Sequence, residues 1–131
     1  MASIFTKIMN NELPAYRVYE DQQIIAILAL DQVNLGHTLV IPKKEVDHWI
    51  DVSSEDFLAV QKAAQKIGQA IHLATGCKRV CTMTVGFEVP HYHLHLIPAW
   101  EMSELSFARA KRRTDAEMKQ ILEKITSHLD Q

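Results

Sequence analysis

Three histidines stand at alternate positions in one short segment. Residues 91–95 read His-Tyr-His-Leu-His, and an apolar run follows them. Side chains on a β-strand point alternately to the two faces of the sheet. The spacing therefore predicts a strand with one buried apolar face and an exposed row of imidazoles on the other. A lone histidine on a strand is usually structural, but three of the chain's seven histidines at this spacing indicate chemistry.

Two kinds of site use such a row. Neutral imidazole nitrogens bind zinc and similar metals. Because same-face residues of a strand stand ~6.6–7 Å apart, a metal would take two of these rings plus a ligand from elsewhere. In the alternative, one neutral ring attacks phosphorus while protonated neighbours bind phosphate oxygens, since the unperturbed pKa of imidazole is ~6.5. We favour phosphate chemistry, because partly charged rings in a row suit an elongated anionic ligand.

A fourth histidine lies far upstream of these three. His37 follows Gly36 and begins the apolar run His37–Ile41, which stops at Pro42. A histidine at the end of a strand, after a small residue, can reach a cleft shared with another strand. Alone, it is more often structural. Together with the triple it predicts a site built from two segments.

The segments that must position these residues alternate between two periodicities. Apolar residues recur at helical spacing from Ser53 or Ser54 to Gly76, and a capping box at Thr114–Glu117 begins a second helix. Five strands are expected at Tyr16–Glu20, Ile24–Leu30, His37–Ile41, Arg79–Val85 and His91–Ile97. Strands, helix, strands and helix without regular βαβ alternation predict an α+β domain with a largely antiparallel sheet.

Composition narrows the function classes. The chain has 131 residues, 14 Lys+Arg against 16 Asp+Glu, and 47% hydrophobic residues. The length predicts a single domain over residues 1–131, and the charge balance excludes a basic nucleic-acid surface. No run reaches the ~20 apolar residues of a membrane span, so we expect no membrane contact and a cytoplasmic location. Cys77 and Cys81 are expected to be reduced thiols.

The motifs together resemble the histidine triad family of nucleotide-binding proteins. The resemblance runs from Ile4–Ile8 through Gly36–Lys43 to His91–His95. It implies an α+β fold with a five-stranded antiparallel sheet and two main helices, usually a homodimer. It further implies hydrolysis or transfer of nucleotides from phosphoramidates, dinucleoside polyphosphates or similar linkages, on a purine nucleotide or nucleotide conjugate, with no cofactor and no metal.

The same resemblance implies a role for each histidine. His93 would attack the α-phosphorus and form a covalent nucleotidyl-histidine that water then cleaves. His95 and His37 would hold phosphate oxygens, and His91 would orient the ring of the nucleophile by hydrogen bonding. The family pattern also implies an apolar purine slot near Ile8, Ile27 and the strand around Leu28.

The chain departs from the family pattern at two places. Members commonly carry Gly-Gln-Ser or Gly-Gln-Thr before the triad, whereas residues 86–90 here read Gly-Phe-Glu-Val-Pro. Glu88 takes a nucleotide-binding position in this run, where an ionised carboxylate would repel phosphate. Either its side chain points away, or it is protonated, or the pocket prefers a different leaving group. Ala29 replaces an acidic residue that contacts ribose, a role we assign to Asp31. These departures keep open a non-catalytic nucleotide-binding module and, less favoured, a metal enzyme.

Overall fold

The structure is a computed structural model that describes residues 2–129. Its three α-helices are α1 (Ile4–Met9), α2 (Ser54–Thr75) and α3 (Asp115–Thr126). Its seven strands are β1 (Arg17–Glu20), β2 (Ile24–Leu28), β3 (Asp31–Gln32), β4 (Thr38–Pro42), β5 (Arg79–Met83), β6 (Leu94–Ala99) and β7 (Lys111–Arg112). Short 3₁₀ turns lie at Trp49–Asp51, Met102–Glu104 and Phe107–Arg109.

Five of the strands form one antiparallel sheet in the order β1-β2-β4-β6-β5. The remaining two, β3 and β7, pair in a small separate sheet. This confirms the predicted α+β class with a five-stranded antiparallel sheet. Because β4 and β6 are neighbours in the middle of the sheet, the two segments that carry the histidines lie side by side.

Both faces of the sheet are covered, which explains why β2 is apolar throughout. Ile24, Ala26 and Leu28 pack toward α2 and α3 in the larger apolar cluster. The alternating residues Ile25 and Ile27 face the other way, toward α1. We call their group the α1-side cluster; it comprises Phe5, Ile8, Ile25, Ile27, Ala29, Leu39 and Ile41. The alternation of strand side chains thus assigns each β2 residue to one of two cores.

Both long helices begin where their sequence signals predict, and α2 also ends at the predicted glycine, whereas α3 ends at Thr126, before the last residue of its apolar stripe, Leu129. Ser53 caps α2 by accepting a hydrogen bond from the Asp56 N–H, and Gly76 ends that helix in the left-handed region at φ 69°. Thr114 and Glu117 form a complete capping box at the start of α3. Such caps satisfy backbone groups that have no partner within the helix.

The triad segment is less regular than predicted. The prediction that a strand begins at His91 is wrong, because β6 begins at Leu94. Pro90 has no N–H, the His91 N–H donates to the Val89 carbonyl, and the Tyr92 N–H donates to the Val46 carbonyl. These bonds turn the chain away from the sheet ladder. Likewise β5 ends at Met83 and β2 at Leu28, while β4 extends through Pro42.

Two other sequence expectations bear on the whole chain. Cys77 is buried, Cys81 is half-buried, and both are free thiols. Among residues 2–129, the helices are all too short or too polar to pass through a lipid bilayer.

Candidate active site

The four histidines singled out by the sequence lie together on the α1 side of the sheet. In the register between β4 and β6, Leu39 stands opposite His95. The His37 Nε2 and His95 Nδ1 atoms are 2.8 Å apart, and the ring centroids of His93 and His95 are 5.0 Å apart. The Phe5 ring of α1 lies edge-on at 5.7 Å from His91 and 4.9 Å from His93. Tertiary packing therefore joins three separate segments of the chain.

The imidazoles form a buried row, which differs from the exposed row expected from the sequence. His91 is 0% exposed and His93 6% exposed, while His95 is half-buried. The alternation itself is confirmed on the other face, where Tyr92 and Leu94 pack into the larger apolar cluster. Phe5 of α1 covers the rings of His91 and His93.

The loop before His37 is held by a side chain that the sequence analysis did not single out. Gln32 is completely buried and uses both ends of its amide. Its Nε2 donates to the carbonyls of Ala29 and His37, and its Oε1 accepts from the N–H groups of Gly36 and His37. The backbone of His37 is therefore fixed on both sides, which sets where its ring enters the site.

Hydrogen bonding fixes the tautomers of His37 and His95. The Val33 N–H, which can only donate, donates to His37 Nδ1 over 3.1 Å. In the neutral ring the proton of His37 is then on Nε2 and is donated to His95 Nδ1. His95 must in turn carry its own proton on Nε2. This pair thus presents one N–H donor, at His95 Nε2, to a ligand.

His91 and His93 take opposite tautomers. His93 Nδ1 lies 2.7 Å from the His91 carbonyl, which can only accept, so the His93 proton is on Nδ1. The lone pair of His93 is consequently on Nε2. His91 Nε2 donates to the Pro42 carbonyl over 2.8 Å, and its Nδ1 lies 2.7 Å from Ser3 Oγ. The carbonyl of His91, rather than its ring, orients the ring of His93.

Burial keeps all four rings neutral at pH 7. Desolvation, with a smaller contribution from nearby histidines, lowers the pKa of His37 to about 4 and that of His95 to about 3. Desolvation is also the main cause that lowers the pKa of His91 and of His93. The spacing of the histidines predicted that protonated imidazoles would surround the attacking ring. The structure shows neutral donors instead, because charging a buried imidazole is unfavourable.

The residues expected to form a purine slot adjoin this row. Ile8 and Ile27 are buried at 7% and 4% exposure in the α1-side cluster, together with Phe5, which contacts His93. Leu28 packs on the opposite face of the sheet, in the larger apolar cluster. Its side chain therefore does not face the histidines, unlike the slot expected around it.

The two acidic residues expected at the nucleotide, Asp31 and Glu88, lie in different parts of the structure. Asp31 is in β3, where its carboxylate pairs with Arg112 Nε at 2.9 Å, and both side chains are more than half exposed. Asp31 therefore belongs to the small sheet, and within the described residues its carboxylate bonds to Arg112 rather than to any of the four histidines. Glu88 is exposed in the loop between β5 and His91, and its negative charge acts to raise the pKa of His93 against the larger effect of burial.

A second side of the site comes from the segment after β6. Phe107 lies 4.9 Å from His95 and 6.3 Å from His37, centroid to centroid, and is 42% exposed. Arg109 holds this segment by donating to the Glu104 carbonyl and to Asn34 Oδ1. Asn34 Nδ2 in turn donates to Glu104 Oε1 and to the Pro98 carbonyl. No local periodicity in the sequence could have found Phe107, since its contacts are entirely tertiary.

Metal ligation was the less favoured reading of the triad. Within residues 2–129, His, Cys, Asp and Glu side chains form no group of three or more that could hold an ion. His37 Nε2 and His95 Nδ1 are instead engaged with each other. The donor geometry of the row therefore suits a ligand that accepts a hydrogen bond from His95.

The chain is similar in sequence and in fold to proteins of one family. The sequence profile of the HIT domain matches residues 10–102. A HIT-like protein of Borreliella burgdorferi is 34% identical over 116 residues, which cover 83% of this chain and 84% of that protein. A Hit-like protein involved in cell-cycle regulation from Bartonella henselae has a crystal structure that matches with a TM-score of 0.87 and 33% identity, over 97% of this chain and 96% of that one.

The chain belongs to the HIT family of nucleotide-binding, hydrolase-like proteins. One relative carries an activity in its name. Adenylylsulfatase HINT3 of Arabidopsis thaliana is 28% identical over 135 residues, covering 96% of this chain and 68% of that protein.

Proposed function

We propose that the protein is a nucleotidyl hydrolase or transferase in which His93 is the nucleophile. The observation that carries this proposal is the hydrogen bond from His93 Nδ1 to the His91 carbonyl. It leaves the lone pair on Nε2, and burial keeps the ring neutral. A neutral imidazole near pH 7 combines nucleophilicity with the ability to leave, which a two-step displacement requires.

The reaction would proceed in two displacements at one phosphorus. His93 Nε2 forms a bond to the α-phosphorus, and the bond from phosphorus to the leaving group breaks with its electron pair on that group, which takes up a proton from solvent. Water then attacks the same phosphorus and releases a proton to solvent, while the N–P bond breaks and its electron pair returns to Nε2. His95 Nε2–H would stabilise the charge that develops on a phosphate oxygen, with His37 supporting it through the 2.8 Å hydrogen bond.

The proposed substrates are purine nucleotides joined to a leaving group at the α-phosphate. Phosphoramidates, dinucleoside polyphosphates and an adenylyl sulfate share that chemistry. The buried pair Ile8 and Ile27, beside Phe5, supports an apolar position for the base next to the nucleophile. His91 keeps its proposed role of orienting His93 through the backbone, and Asp31 and Glu88 keep proposed roles at the ribose and at the leaving group.

A His93→Ala variant tests the mechanism. We expect turnover of adenosine 5′-phosphoramidate to fall roughly a thousandfold or more, with AMP binding measured by calorimetry retained. The exposed His128→Ala is the matched control and should turn over normally. Turnover that persists in His93→Ala contradicts the mechanism. AMP binding by the native protein without turnover of any of the three substrate classes would identify the binding module instead.

We further propose that the working unit is a homodimer joined along β5. This strand is at the edge of the five-stranded sheet, where one side of its backbone has no neighbouring strand among residues 2–129. Beside it, a groove of about 640 Å³ contains Leu58, Ala64 and Val80, and Leu58 is 64% exposed. Sedimentation equilibrium should give twice the chain mass of 14.9 kDa, and Leu58→Lys should lower it. A native monomer would contradict the dimer.

A further inference from the structure

The first residues of the described chain reach into the row of histidines. Ser3 is 8% exposed and precedes α1 as its N-cap, where its hydroxyl oxygen accepts a hydrogen bond from the Thr6 N–H over 3.1 Å. The same oxygen lies 2.7 Å from His91 Nδ1. One hydroxyl therefore joins the start of a helix to a ring that is wholly buried.

The position of Ser3 is held by a carboxylate from another part of the chain. Glu45, which follows β4, accepts at Oε1 from the Ser3 N–H over 2.8 Å and from the Thr6 hydroxyl over 2.7 Å. These bonds lower the pKa of Glu45, so its carboxylate is charged and stays an acceptor at pH 7. The backbone, the helix cap and the carboxylate together place the Ser3 hydroxyl opposite His91.

This placement leaves His91 only one satisfied arrangement. A hydroxyl has a single proton to donate. Because His91 Nε2 donates to the Pro42 carbonyl, the lone pair of the neutral ring is on Nδ1. The Ser3 proton therefore goes to Nδ1 over 2.7 Å rather than to Thr6 Oγ1 over 3.3 Å. A ring rotated by 180° would bring Cδ2 toward the Ser3 hydroxyl and Cε1 toward the Pro42 carbonyl, so both groups would lose their partner on His91.

The orientation of His91 matters because its carbonyl is hydrogen-bonded to His93, the proposed nucleophile. The His91 carbonyl accepts from His93 Nδ1, and Phe5 of the same helix contacts the rings of both His91 and His93. Helix α1 thus acts on the nucleophile by two routes, a hydrogen bond through Ser3 and a packing contact through Phe5.

We propose that Ser3 is a positioning residue for the reaction, which holds the orientation of the His91 ring by donating to its Nδ1 and, through the carbonyl of that residue, the ring of His93. The inference rests on the proposed function, in which His93 Nε2 must carry the lone pair. Ser3 acts through His91 and makes no contact with the reacting atoms. Its loss should reduce the rate of the chemical step more than it weakens nucleotide binding.

Three variants separate positioning from simple stabilisation. Ser3→Ala removes the hydroxyl, Ser3→Thr keeps it, and Ser53→Ala removes a serine that also caps a helix but contacts no histidine. For Ser3→Ala we expect kcat with adenosine 5′-phosphoramidate to fall roughly tenfold or more, because a buried ring nitrogen loses its partner. The dissociation constant of AMP should change less than about twofold, and Ser3→Thr should restore most of kcat. Ser53→Ala should lower the melting temperature without changing kcat.

Nitrogen-15 NMR of the imidazoles gives a readout that a merely structural role would not move. In the native protein His91 should show a protonated Nε2 and an unprotonated Nδ1, and His93 the reverse. In Ser3→Ala the His91 Nδ1 signal should move toward that of a nitrogen without a hydrogen bond, and the His93 signals should move with it, while those of His37 stay unchanged. Unaltered His91 and His93 signals in Ser3→Ala, an unchanged kcat, or an equal loss of kcat in Ser53→Ala would each overturn the inference.

Failure of this inference and failure of the proposed function are distinguishable. If His93→Ala keeps full turnover, the nucleophile is misassigned, yet the NMR measurement still reports whether Ser3 holds His91. If His93→Ala is inactive and Ser3→Ala is fully active, the mechanism stands and the positioning role of Ser3 is overturned.

Discussion

Glu88 brings a negative charge to a site proposed to bind phosphate. The side chain is exposed in the loop before the triad, and its charge favours the protonated form of His93. The neutral rings of His37 and His95 supply no compensating positive charge at pH 7. A nearby carboxylate therefore disfavours phosphate oxygens and anionic leaving groups more than neutral or cationic ones.

Replacing this carboxylate should change the pH profile in a defined direction. His93 must be neutral to attack, so kcat/KM falls where that ring is protonated. Because the charge of Glu88 raises the pKa of His93, Glu88→Gln should lower that pKa and move the acidic limb of kcat/KM to lower pH. The measurement is kcat/KM for adenosine 5′-phosphoramidate from pH 4.5 to 8.

The control for this prediction is Glu123→Gln, an exposed carboxylate in α3 with no contact to the histidines. It should leave the acidic limb in place. A limb that moves to higher pH in Glu88→Gln, or that moves equally in both variants, would show that Glu88 does not act on the nucleophile.

At the scale of single residues, spacing found the histidines and missed their partners. Alternation in residues 91–95 and the position of His37 after Gly36 are local patterns, so the sequence could single them out. Gln32, Ser3 and Phe107 reach the site only through tertiary contacts, and each would be unremarkable in a list of residue types. The neutral charge of the row was missed for the same reason, since burial by α1 is not visible in the spacing.

The loop that enters β4 depends on one glycine. Gly36 has a φ of 110°, a region that side chains with a Cβ rarely adopt. A Cβ there would lie 3.3 Å from both Pro98 Cγ and Thr75 Cγ2. Strain and crowding therefore act together, directly before His37.

Gly36→Ala should reduce both stability and activity. The backbone strain alone is worth roughly 1–3 kcal/mol, and the contacts with Pro98 and Thr75 add to it. Since the Gly36 N–H donates to Gln32 Oε1, a shift of this loop moves His37 as well. We expect a lower free energy of unfolding in urea and a lower kcat/KM with adenosine 5′-phosphoramidate.

Gly76→Ala is the matched comparison for that variant. Gly76 also has a positive φ, of 69°, but an added Cβ would have no atom within 4 Å, and the residue ends α2 away from the histidines. It should lose less stability than Gly36→Ala and keep its kcat/KM. Equal losses of activity in the two variants would contradict a specific role for the loop before His37.

Whole elements were predictable where the pattern was long. The 22 residues of α2 and the 12 of α3 contain several turns of amphipathic repeat and clear caps. The six residues of α1 and the two each of β3 and β7 are too short to show a period. The start of β6 was misplaced because backbone hydrogen bonds from His91 and Tyr92 go outside the ladder, which residue alternation cannot reveal.

Across the whole molecule, the buried histidines couple the site to the stability of the fold. In the folded protein the pKa of His37 is about 4 and that of His95 is about 3, so both rings stay neutral above those pH values. In the unfolded chain both rings become protonated near pH 6.5. Below pH 6.5 the unfolded chain therefore binds more protons than the folded one, and the free energy of unfolding decreases as the pH falls.

The free energy of unfolding should therefore decrease toward acid in a pH range above that in which most carboxylates titrate. Between pH 6.5 and about 4.5, each ring that stays neutral in the fold contributes a slope of up to about 1.4 kcal/mol per pH unit. Urea unfolding across this window should show stability falling toward acid, with a smaller slope in His37→Asn, which removes one buried ring. His128→Asn, an exposed histidine outside the site, should keep the native slope. A native slope of zero, or one that rises toward acid, would mean that the row is protonated in the folded protein and that phosphate is held by charge rather than by neutral donors.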